Sequence, residues 1–113
     1  QDPRIAARQA AASQAEAERE DTRRALAADL EAGLADHVMH HAQWMRARDV
    51  LLPLARQRSE LDTASYSAGR AGLLDVIETK TALADAELTA LDREADVARD
   101  AVRLTITYGS EDR

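Results

Sequence analysis

The sequence predicts an all-α fold, a long antiparallel helical hairpin of coiled-coil type, and three observations carry that prediction. Helix breakers are scarce, with 4 glycines and 2 prolines among 113 residues. Ala, Leu, Glu, Arg and Asp dominate, which is the composition of long helices rather than of sheets. Apolar residues recur three and four positions apart along both halves of the chain, and the pattern is interrupted at Gly69 and Gly72.

The elements follow in order. Asp2-Pro3 reads as a helix start, a capping side chain followed by a proline in the first turn, where a missing N–H costs nothing. A helix is predicted over about residues 4–68, roughly 98 Å at 1.5 Å per residue. Its one interior breaker is Pro53, which removes a backbone hydrogen bond and predicts a kink near Leu51 to Leu54. Early in this helix Ala6, Ala7, Ala10, Ala11, Ala12, Ala15 and Ala17 give high helix propensity with little volume. Further on, Leu26, Leu30, Leu34, Val38, Met45, Leu51, Leu52, Ala55 and Leu61 form the stripe expected to face a partner helix. Trp44 and Met45 lie on its continuation and read as packing residues.

Gly69-Arg70-Ala71-Gly72 marks the reversal, with Gly69 as the left-handed helix cap. A second helix is predicted from Leu73 to about Thr107, ended by Gly109 and followed by a frayed tail over 110–113. Its apolar residues fall in three heptad columns. One holds Ile77, Ala84, Leu91, Ala98 and Thr105; another Val76, Leu83, Ala90, Val97 and Leu104; a third Leu74, Thr81, Leu88, Ala95 and Val102. Together they span about 160°, wider than a two-stranded seam, so this helix is expected to touch neighbours on two sides. Glu78, Asp85, Asp92 and Arg99 line the remaining face, as either a lumen lining or a solvated exterior.

Composition excludes several functions. With a net charge of −6 and a pI near 5.0, no basic field exists to hold nucleic acid. The absence of cysteine removes disulfides, thiolate catalysis and sulfur-ligated metals. No apolar run approaches the ~20 residues of a membrane span. The chain opens on Gln1 and reads as an excised piece of something larger. No nucleophile is paired with a histidine and no phosphate-binding loop occurs, so neither an enzyme nor a cofactor is expected. His37, His40 and His41, with Asp36, have the i, i+4 spacing that lets imidazoles chelate Zn²⁺, Ni²⁺ or Cu²⁺, although such a cluster is more often incidental.

The segment from Tyr66 to Glu78, YSAGRAGLLDVIE, resembles the Y-x-x-G-x-x-x-L-L-D-V-L-D element of TolC-like outer-membrane factors, the outer membrane efflux protein family. Val50 to Ala55 resembles an upstream V-L-P-x-A element of the heavy-metal and related branches. Leu104 to Gly109 resembles the closing L-x-x-x-x-G. The resemblance implies a piece of a periplasmic α-barrel from the second repeat of a homotrimeric outer-membrane channel, reaching the membrane only through a β-barrel outside this chain. It implies passive export within a tripartite pump, with a periplasmic adaptor and an inner-membrane pump as partners. By position, Gly69, Arg70, Ala71, Gly72, Leu73 and Leu74 would form the adaptor-facing tip, and Tyr66, Asp75 and Glu78 the gate. Glu78 stands where the family has Asp, and Thr79-Lys80 departs from its usual pair. The rival reading is a stand-alone periplasmic coiled-coil module such as an adaptor hairpin. Its arms would be near-equal, whereas these are not.

Overall fold

The computed structural model describes residues 2–109, and all regular structure among them is helical. Helix α1 spans Pro3–Arg46, a π-helical turn occupies Ala47–Leu51, α2 spans Leu52–Ser67 and α3 spans Leu73–Tyr108. The chain divides into two compact units, Gln1–Leu34 and Ala35–Arg113. The tail expected over 110–113 lies outside the described residues.

The first unit is a stretch of α1 held by local interactions. Arg4 N–H donates to Asp2 Oδ1 at 3.0 Å, and Ile5 and Ala6 N–H donate to the Asp2 carbonyl, which satisfies the opening turn. Alanine propagates the helix at little entropic cost. Arg24 pairs with Glu20 at 2.9 Å and with Asp21 at 3.4 Å, i, i+4 and i, i+3 partners on an exposed surface.

In the second unit, α2 packs antiparallel against α3. The reversal is a Schellman turn: Gly69 N–H donates to the Tyr66 carbonyl (3.0 Å) and Arg70 N–H to the Ser65 carbonyl (2.8 Å). Gly69 sits at φ +73°, a conformation that glycine adopts without penalty. Gly72 is extended and opens α3, and Gly109 N–H closes it on the Thr105 carbonyl.

The seam between the arms mixes apolar side chains with small and polar ones. On α3 it runs Val76, Thr79, Leu83, Ala86, Ala90 and onward through Val97 to Asp100, in alternating steps of three and four. Among the described residues, Ala47, Ser59 and Thr79 are the most deeply buried, at 2–3 % exposure. Side chains this small at the most buried positions let two helices approach closely. The Thr79 hydroxyl is satisfied within its own helix by the Asp75 and Val76 carbonyls.

Two expectations need correction. The leucine-rich stripe of the first arm forms the seam only in part: Val38 is 68 % exposed and Leu61 66 %, and Leu34 and Leu51 are also exposed, whereas Leu52 and Ala55 turn inward. Beside these two, the seam takes Trp44, which the sequence reads as a packing residue, and His40, Ala47 and Ser59, which the stripe omits. The irregularity expected at Leu51 to Leu54 begins a turn earlier, at Ala47, where Leu52 N–H reaches back five residues to the Ala47 carbonyl. Pro53 is the reason. It has no N–H to donate, and its ring would meet the carbonyl four residues back, so the preceding turn widens to make room.

Helix α3 carries a second apolar face. Leu74, Ile77, Leu88, Leu91 and Val102 are each more than half exposed, on the side of α3 roughly opposite the seam.

Candidate functional site

The tip is the first locus. Gly72 N–H donates to Asp75 Oδ2 at 3.0 Å, so the Asp75 carboxylate reaches back over the first turn of α3 and satisfies its capping residue. A negative charge there also meets the positive end of the helix dipole. Asp75, expected at a gate, therefore has a local structural role. Glu78 lies one turn on, exposed and on the same side of the helix. Tyr66, Leu73 and Leu74 are exposed at 46 %, 56 % and 68 %, Arg70 is exposed and Ala71 is half-buried. The hairpin end thus presents a phenol, two leucines and two carboxylates around a glycine turn.

The second locus is Asp100, which the heptad columns passed over. Its carboxylate accepts a hydrogen bond from His40 Nδ1 at one oxygen and from Arg103 Nη2, at 3.2 Å, at the other. His37 Nδ1 stands 3.9 Å from the oxygen that His40 engages, buried and without a hydrogen-bond partner. The hydrogen bond from His40 holds the Asp100 carboxyl below the usual carboxylate range and outweighs desolvation, which acts the other way; the charges of His40, Arg103 and His37 add to the lowering. A groove of about 510 Å³ beside this cluster is lined by Asp36, His40, Asp96, Arg99, Asp100 and Arg103. The signal for Asp100 was available: residues 40 and 100 are equidistant from the turn, so an antiparallel pair brings them together.

The three histidines do not converge. His41 turns to Trp44, with ring centroids 5.6 Å apart in an edge-to-face arrangement, and Arg48 stacks over the same indole at 4.7 Å. Among the described residues no three His, Asp or Glu side chains form a group that could hold a metal ion. His37 and His40 thus lie at a carboxylate clasp and His41 at an aromatic stack. Arg48 also donates to Asp49 at 2.8 Å, and this hydrogen bond raises the guanidinium above its ordinary value and lowers the carboxyl.

Among the described residues, no helix is long and apolar enough to cross a membrane. Comparison with protein-family models, with curated proteins and with solved structures finds no match for this chain.

Proposed function

We infer that this chain is the periplasmic helical part of a homotrimeric, TolC-like outer-membrane efflux channel, a passive conduit that performs no catalytic step. In this reading the tip, Gly69 to Leu74, docks a periplasmic adaptor that joins the channel to an inner-membrane pump. Tyr66, Asp75 and Glu78 would face the entrance. The observation that carries the reading is the coincidence of the resembling segment, Tyr66 to Glu78, with the hairpin turn and its exposed apolar end.

The second apolar face of α3 supports the same reading. A hairpin that spends one face of α3 on its own partner and leaves the opposite one exposed is suited to a wall, where each stave meets further helices. Carboxylates brought together by three-fold symmetry would repel and so favour bound cations.

The test is conductance of the full-length protein in planar bilayers. Asp75→Asn keeps an oxygen for the Gly72 N–H while removing the charge, so gating is separated from capping. Together with Glu78→Gln it should weaken cation block of the channel about tenfold, equivalent to about 1.4 kcal/mol. Unchanged block would remove the gate assignment, and a full-length protein that forms no trimeric pore would overturn the channel reading.

A further inference from the structure

The seam changes phase at the π turn. Before it, the arm contributes His37, His40, Trp44 and Ala47, in steps of three and four. Regular α-helix would continue the series through Leu51, Leu54, Arg58 and Leu61. The observed series is Leu52, Ala55, Ser59 and Asp62, each one residue later, because the π turn spends one extra residue. Ser59 is consequently 3 % exposed, while Leu54 is 57 % and Leu61 66 % exposed.

The exchange runs against simple hydrophobicity. The unused series offers three leucines; the series in use offers one leucine, an alanine, a serine and an aspartate. Something must therefore hold the less apolar face inward. Pro53 lies two residues past the end of the wide turn, at the position where its ring would meet the Asp49 carbonyl in a continuous α-helix. Asp49 is also held by Arg48, which stacks on Trp44 at the start of the turn.

We propose that Pro53 and the π turn it imposes act as a register lock, keeping Leu51, Leu54 and Leu61 outside the hairpin seam. Without the lock, residues 47–54 continue as α-helix, α2 turns by about 100° about its own axis, and its buried and exposed faces exchange. The device is independent of the channel reading, since it concerns only how this chain selects between two faces of one helix.

The chain has no cysteine, so single thiols report the two faces directly. In the otherwise unaltered full chain, the Ser59→Cys thiol should be alkylated at least about tenfold more slowly than the Leu61→Cys thiol. Adding Pro53→Ala should reverse that order, with the helical circular dichroism retained. Deleting Val50 from the Pro53→Ala chain removes the extra residue, so a continuous helix recovers the original phase and the Ser59→Cys thiol becomes slow again. An unchanged order in Pro53→Ala would overturn the proposal. So would a Pro53→Ala chain in which both thiols react fast and deletion of Val50 restores no protection.

Discussion

Residues 3–34 and 73–108 are both continuous α-helix, yet they are stabilised differently. The first stretch relies on alanine propensity, an Asp2 cap and exposed charge pairs such as Arg24 with Glu20, and almost every side chain in it is exposed. The second has a capped start as well, but its seam positions are buried against the other arm of the hairpin, down to 3 % exposure at Thr79. Local terms contribute a few tenths of a kcal/mol each, whereas a burial position tolerates almost no change of size or charge. The same residue type should therefore respond differently in the two places.

Alanine offers the sharpest comparison. Ala47→Glu places a carboxylate at a position that is 2 % exposed and should cost about 3 kcal/mol or more, read as a lowered thermal midpoint. Ala11→Glu, on an exposed surface, should stay within about 0.5 kcal/mol. Equal losses would erase the distinction between the two regions.

Acid should discriminate next. The folded-state value of Asp100 lies below its ordinary 3.8, so its contribution is fully present above that pH and is lost as pH falls through the lowered value. Protection of hairpin amides against hydrogen exchange should fall in that acidic window, and Asp100→Asn should remove this part of the pH slope. A slope identical in Asp100→Asn would mean that the clasp contributes nothing to folding. The smallest effect is expected at Arg24→Ala, where loss of the pairs with Glu20 and Asp21 should cost about 0.3–0.5 kcal/mol and vanish in high salt. A larger, salt-independent loss would show that Arg24 does more than pair with its neighbours.

The helical class, the reversal at Gly69 and the starts and ends of the long helices were legible because they depend on local chemistry: caps, glycine and the lack of breakers. The seam was legible only in part: Trp44, Leu52 and Ala55 and the column Val76, Leu83, Ala90 and Val97 were expected to pack, but Ala47, Ser59, Thr79 and Asp100 were not. A stripe count assumes 3.6 residues per turn throughout, and the single π turn at Ala47–Leu51 shifts every later position by one. Leucine was also a poor guide, because Ala47, Ser59 and Thr79 are buried for their small size rather than for their hydrophobicity. At the tip, the family resemblance implied a shared role for Asp75 and Glu78 at an entrance, whereas Asp75 is also the acceptor for the Gly72 N–H. The histidines looked like one group because i, i+4 spacing was considered on α1 alone. Asp100, supplied by α3, draws His40 and His37 to one side, while His41 goes to Trp44.

Trp44 is the one tryptophan in the chain, and it lies at the junction where α1 gives way to the wide turn. Arg48 covers its face and His41 meets its edge. The indole therefore senses both the local winding of the backbone and the packing of its two neighbours. Its emission provides an intrinsic optical signal for the state of the junction, with no label attached and no second tryptophan to confuse it.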